Sequence, residues 1–253
     1  MRARRVEAGQ GWQWLVEGWQ LFLRAPGLWI VMLLIYLAIS IVLSFIPVIG
    51  GVADALLTPA LSGGMIYGAA ALATGKDLEI QHLFRAFQDR ERLNPMLTLG
   101  ALLLAGYFII ALVIVSLAAS WMAGGGTLQD FMNMDEEALL RMLAGMGLIA
   151  ALLILLLVTV LTMAMFYAVP LVMLGGIAPL RALQDSFSAC LLNIWPLLVF
   201  SLVYLVLAFL AVLPLGLGFL VLGPVTFGAV YTSYREVFAP QEPLRPELPF
   251  PPV

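Results

Sequence analysis

The chain has 253 residues, 63% of them hydrophobic and 11% charged, with a formal net charge of −3 and a mean hydropathy of +1.05. A soluble domain carries about 25% charged residues, so this chain lacks the polar surface to face water on every side. The one cysteine, Cys190, excludes an intrachain disulfide scaffold. Twelve basic residues without a long run argue against nucleic acid as a partner. Composition leaves a polytopic membrane protein.

Arg2, Arg4 and Arg5 open the chain and a Trp-rich segment follows. No cleavable signal peptide is expected, because the first apolar run is too long for one. A helix crosses the hydrocarbon core in about 20 apolar residues. Such runs occupy 28–46, 52–73, 96–121, 142–169, 194–213 and 215–231, interrupted at Pro47 to Gly51, Pro170 and Pro214 to Gly216. Six spans are expected.

Three segments before these spans carry helical periodicity. In 12–24, Trp12, Leu15, Trp19 and Phe22 oppose Gln13, Glu17, Gln20 and Arg24. In 78–88, Ile80, Leu83, Phe84 and Phe87 oppose Glu79, His82 and Arg85. In 179–192, Leu180, Leu183, Phe187 and Leu191 oppose Arg181, Gln184, Asp185 and Ser188. A helix with one aromatic, apolar face and one polar face lies in the headgroup plane. Each is followed by a breaker, Pro26-Gly27, Asn94-Pro95 or Trp195-Pro196, and then by two spans.

The expected fold is therefore all-α and integral to the membrane: six transmembrane helices in three hairpins, each preceded by a cytoplasmic interfacial amphipathic helix. Possible parallel repeats cover 12–73, 78–170 and 179–234 within a membrane domain of residues 1–238. Pro59 before Gly64-Met65-Ile66-Tyr67 parallels Pro224 before Gly228-Ala229-Val230-Tyr231. Residues 239–253 form a Pro-rich, flexible cytoplasmic tail.

Basic residues are retained on the cytoplasmic side. Arg2, Arg4, Arg5, Arg24, Lys76, Arg85, Arg90, Arg92, Arg181, Arg235 and Arg245 share one side in a six-span topology, and only Arg141 lies opposite. Both termini are expected to be cytoplasmic.

Pro170 to Ser186-Phe187, continuing to Asn193-Ile194-Trp195-Pro196, resembles the linker and lead-in helix of YciC-like proteins. A similar layout occurs in the membrane domain of some bacterial glycerophosphodiester phosphodiesterases. The match departs at Gly175, where the linker pattern carries an acid. Arg4-Arg5-Val6, Gly11-Trp12-Gln13-Trp14 and Ala25-Pro26-Gly27-Leu28-Trp29 extend a resemblance to an uncharacterised proteobacterial family of six-span inner-membrane proteins. It implies a bacterial cytoplasmic-membrane address and no activity.

Hydrolysis or group transfer needs a nucleophile with a base, or a liganded metal. His82 is the one histidine and reads as a polar-face residue. Cys190 reads as a small buried hydrophobe. Asp135, Glu136 and Glu137 read as a solvated helix start, since consecutive carboxylates diverge on a helix. Gly124-Gly125-Gly126 leads into Thr127, which is no phosphate loop. No enzyme, cofactor or metal site is expected.

Asp54 falls near the start of the second span, where a helix N-terminus favours a carboxylate, or it serves as an ion ligand. Pro59 and Pro224 interrupt returning spans at matching places, either as packing kinks or as markers of a substrate site. Ser62, Tyr67 and Thr226 complete that candidate transport or lipid site with Asp54, Pro59 and Pro224. Gly64 and Gly68 suit close helix contact within the chain. Tyr67, Tyr231, Tyr234, Trp29 and Trp195 read as an aromatic belt.

The leading expectation is a non-enzymatic protein that organises or senses the membrane. Its partners would be membrane lipids, with proteins engaged through the cytoplasmic helices or the Pro-rich tail. The alternative is a small-molecule or lipid transporter with a site between the outer repeats.

Overall fold

The computed structural model describes residues 3–123, 133, 135–137 and 147–238. The tail from 239 on, Gly124 to Gly126, Asp130 and Arg141 lie outside these residues. The described chain is helical: α1 (Gln10–Arg24), α2 (Pro26–Ser44), α3 (Ile49–Ala73), a 3-10 helix η1 (Ile80–Gln88), α4 (Arg90–Ala123), α5 (Gly147–Phe166), α6 (Ala168–Met173), α7 (Pro179–Leu192), α8 (Ile194–Val212) and α9 (Phe219–Val237).

Among the described residues, five helical stretches are long and apolar enough to cross a membrane: Pro26–Ser44, Ile49–Ala73, Arg90–Ala119, Ala150–Met173 and Ile194–Val212. The last expected span, α9, is not among them. Its sequence carries Arg235 and Glu236 with Thr226, Thr232 and Ser233. Its surroundings explain the composition. Pro224, Val225, Gly228, Ala229, Thr232, Ser233 and Val237 are buried inside the protein, so α9 meets other helices more than solvent or lipid. Its hydroxyls turn to backbone carbonyls, Thr226 Oγ1 donating to Leu222 at 2.7 Å and Ser233 Oγ to Val230 at 2.9 Å.

One order of elements occurs three times. A short helix ends, a single residue breaks the path, and a long helix starts. The joints are Ala25, Asp89 and Asn193. α3, α6 and α9 pack on one another at the centre, and the short helices close around them. Each short helix docks on the element that precedes it in this cyclic order: η1 on α3, α7 on α5 and α6, and α1 on α9. The α1–α9 contact is the most extensive among the described residues.

Glycine makes that contact possible. A Cβ at Gly18 would meet the Val225 carbonyl oxygen and lie 2.7 Å from the Ala229 nitrogen, and one at Gly228 would lie 2.9 Å from the Gly18 Cα. Gly64 does the same for η1, since its Cβ would strike the Leu83 carbonyl. The expected use of Gly64 in close packing within the chain is what the structure shows.

The α5–α6 boundary shows why a side chain was needed. The Ser186 hydroxyl accepts the Tyr167 N–H at 2.9 Å and donates to the Met163 carbonyl at 2.7 Å. Those two backbone groups would otherwise bond to each other in a continuous helix. Ser186, fully buried, is inserted into the ladder, and such insertion bends a helix. Pro170 adds a missing N–H one turn on. Ser186→Ala is expected to leave the Tyr167 N–H unpaired and the Met163 carbonyl with the weak Cys190 thiol as its side-chain donor, and to lower stability by about 1–3 kcal/mol. Thermal unfolding of the detergent-solubilised protein measures it, and an unchanged midpoint would remove the wedge from the account.

Candidate functional site

The amphipathic segments share one difference from their expected form. Their apolar side is two stripes, not one. On α1, Gly11, Trp14, Leu15, Gly18, Leu21 and Phe22 are buried against the bundle. Trp12 and Trp19 are 51% and 44% exposed, and Leu23 is exposed beside them. Gln13, Gln20 and Arg24 form the exposed polar stripe, with Glu17 partly exposed.

Written along the chain, the three stripes are triplets of a buried, an outward apolar and a polar residue. α1 reads Gly11-Trp12-Gln13, Leu15-Val16-Glu17, Gly18-Trp19-Gln20 and Phe22-Leu23-Arg24. η1 reads Leu83-Phe84-Arg85 and Ala86-Phe87-Gln88, and α7 reads Ala182-Leu183-Gln184 and Ser186-Phe187-Ser188. The middle residue of each triplet is partly or fully exposed. One residue step turns an α-helix by about 100° and a 3-10 helix by about 120°, so each stripe follows the last in the same rotational sense on all three.

η1 differs from the expected α-helix in being a 3-10 helix. With about three residues per turn, Leu83 and Ala86 fall on one line against α3. Its first turn is held by a reciprocal pair, the His82 Nδ1 accepting the Glu79 N–H at 3.2 Å while the Glu79 side chain accepts the His82 N–H. Burial lowers the pKa of His82 from its ordinary value, with Glu79 opposing and Arg85 and Lys76 reinforcing. A neutral acceptor at Nδ1 is what that cap requires.

Asn193, at the α7–α8 joint, is fully buried. Its Oδ1 accepts the Val6 N–H at 2.9 Å, and its Nδ2 donates to the Arg4 and Ala189 carbonyls at 3.0 Å. Arg4 also donates its N–H to the Val237 carbonyl at 2.9 Å and its Nε to the Glu236 carbonyl at 2.7 Å. The Trp14 indole N–H donates to the Glu236 carboxylate at 2.6 Å. The extended residues before α1 are thus tied to α9 and to the α7–α8 joint. Hydropathy could not reveal this, because an isolated asparagine beside an apolar run is silent in it.

The residues of the expected transport or lipid site fall on two helices that pack together, Asp54, Pro59, Ser62 and Tyr67 on α3 and Pro224 and Thr226 on α9. Pro59 and Pro224 are buried in α3 and α9. Ser62 donates to the Thr58 carbonyl at 2.7 Å, and Thr226 is equally turned to its own helix. Tyr67 faces η1, with the His82 ring centroid 5.3 Å away and the guanidinium carbons of Arg85 and Arg92 at 5.5 and 5.8 Å. Asp54 lies in the second turn of α3, because the helix begins at Ile49 and not at 52.

The aromatic belt needs correction. Trp29 is fully buried and donates its indole N–H to the Leu21 carbonyl at 3.2 Å. Tyr231 and Tyr234 are buried as well. Trp195 alone of the two tryptophans is outward, at 62% exposure. Cys190 is the small buried residue expected, its thiol 3.4 Å from the Met163 carbonyl, and burial pushes it up to about 12. A thiol held that high is a poor nucleophile.

Apolar cavities also open between the helices. One of about 350 Å³ separates α5 from α7 and α8, lined by Thr159, Met163, Cys190, Ile194 and Ser201. Another, about 500 Å³, lies between α1, α8 and α9. Among the described residues no group of three or more His, Cys, Asp or Glu side chains could hold a metal ion.

The chain is similar to a protein of Burkholderia thailandensis described as a probable inner membrane protein, 28% identical over 273 residues that cover 98% of each chain. No family model matches the chain, so the likeness to YciC-like proteins stays one of motif. No solved structure matches it either.

Proposed function

We propose that the protein is a non-enzymatic bacterial inner-membrane protein that presents three in-plane helices to lipids and partner proteins at its cytoplasmic face. It has six spans in three hairpins, α9 being the sixth, and both termini cytoplasmic. The three units act as parallel repeats, and the Pro-rich tail extends the cytoplasmic surface.

The shared rotational order of the stripes carries this reading. A helix running tangentially around a bundle at the membrane surface meets protein on one side, hydrocarbon above and water below. Those surroundings call for a buried, an apolar and a polar stripe in that order. α1, η1 and α7 each run from the preceding unit toward their own, so they circulate in one direction. With circulation shared, a helix on the opposite face would show the reverse order. The common order supports one membrane face for all three, in agreement with the arginines. The relative's description supports the inner-membrane address.

Each outward apolar stripe adjoins a polar one, which is the surface that headgroups and amphipathic partners recognise. Trp19→Glu, Phe84→Glu and Phe187→Glu substitute the outward stripes and leave every residue of the buried ones in place. They are expected to reduce co-purifying lipid or polypeptide while the bundle stays folded by thermal unfolding. Topology is read separately by labelling cysteines placed at 88, 130 and 241, with impermeant reagent reaching only 130. The native Cys190 should stay silent. Parent-like co-purification in all three variants would end the docking role, and labelling at 88 or 241 would end the topology.

A further inference from the structure

We propose that the slot between α8 and α9 binds one hydrocarbon tail of a phospholipid from the leaflet in which α1 lies. The proposal deepens the lipid-binding reading above and rests on it.

α8 and α9 meet at their far ends, where a Cβ on Gly218 would lie 2.5 Å from the Ala211 Cα. They do not stay together. α1 enters between their other halves, Gly11 resting on the Pro196 carbonyl and Phe200 of α8, and Gly18 on Val225 and Ala229 of α9. The result is a wedge-shaped slot of about 500 Å³, walled by Leu207, Leu210, Val221 and Leu222 and floored by Trp12 and Trp19. The close α1 crossing that glycine permits therefore also creates the slot.

Its occupant follows from what the slot offers. It is continuous with the outward face of α8, where Leu202, Val206 and Phe209 are exposed, and that face is the bilayer contact of an apolar span. Water would find no polar partners on these walls. A helix about 10 Å across is too wide to enter. A single acyl tail is apolar, thin and abundant at that depth. Trp12 and Trp19 occupy the boundary at which tryptophan is favoured. Beside them the exposed Gln13 and Gln20 offer hydrogen-bond donors to a phosphate group.

Native mass spectrometry of the full chain, purified from a phospholipid mixture into mild detergent, tests this. The parent should retain one phospholipid per chain. Val221→Phe and Leu207→Phe, which fill the slot from opposite walls, should reduce the retained fraction by about tenfold. Leu205→Phe, on the exposed face of α8 outside the slot, should retain it. Size-exclusion profile and thermal midpoint identify any variant that fails to fold, and the remaining one decides. Retention unchanged in a folded slot variant, or no retained lipid in the parent, would overturn the proposal. Either result, with Phe84→Glu and Phe187→Glu, which lie outside the slot, still losing partners, would remove the slot and leave the docking role standing.

Discussion

Gly18→Leu is expected to detach α1 from α9 and to lower stability by about 3 kcal/mol or more, at the upper end of overpacking effects. The obstacle is backbone. The new Cβ would strike the Val225 carbonyl and crowd the Ala229 nitrogen, and neither can rotate away as a side chain would. α1 must then shift along its whole length, exposing Trp14 and breaking its hydrogen bond to Glu236. A red shift in tryptophan emission should accompany the fall in thermal midpoint. Gly27→Ala is the control, since nothing lies within 4 Å of its Cβ. Gly27 lies near the start of α2, and alanine there should be neutral or stabilising by up to about 1 kcal/mol. A Gly18→Leu protein with the parent's midpoint and emission would contradict the crossing.

Asn193→Ala should lower stability by about 2–4 kcal/mol, because it strands two polar groups at once. The Val6 N–H and the Arg4 carbonyl lose their bonds to the Asn193 side chain, while the Ala189 carbonyl keeps the Asn193 backbone N–H at 3.0 Å. The residues before α1 then keep the Arg4 hydrogen bonds to α9 but lose those to the α7–α8 joint. Limited proteolysis should cut the first ten residues faster in this variant. Gln184→Ala, an exposed polar residue on the neighbouring helix, should change stability by no more than about 0.5 kcal/mol. Equal proteolysis in parent and Asn193→Ala would separate the asparagine from the terminal strap.

Much of the architecture was legible before any coordinates. Runs of apolar residues near the length of a bilayer announce their helices whatever packs beside them, and five expected spans appear as helices able to cross a membrane. The short lead-in helices were legible too, although η1 proved to be 3-10 and the belt residues Trp29, Tyr231 and Tyr234 proved buried. Such residues mislead for one reason. An aromatic ring scores the same in a pattern whether it touches lipid, water or protein.

The candidate site was harder to read because its determinants are small. Gly11, Gly18, Ala182, Ser186 and Ala189 make up much of the buried stripes on α1 and α7, and small residues carry almost no hydropathy signal. A search for large apolar side chains therefore found the outward stripe and merged it with the inward one. Ser186 and Asn193 were hidden more deeply, since their value lies in backbone groups of Met163, Tyr167, Arg4 and Val6.

By itself the sequence determined that this chain is helical, apolar and long enough to cross a bilayer several times, because transfer from water is a property of each residue summed along a segment. It also determined where short amphipathic helices interrupt the spans. Only the tertiary structure decided which side of each short helix faces protein, that α1 closes on α9, and that a slot opens between α8 and α9. Those outcomes depend on how near two backbones can come, and nearness is a relation between distant residues that no single stretch of chain contains.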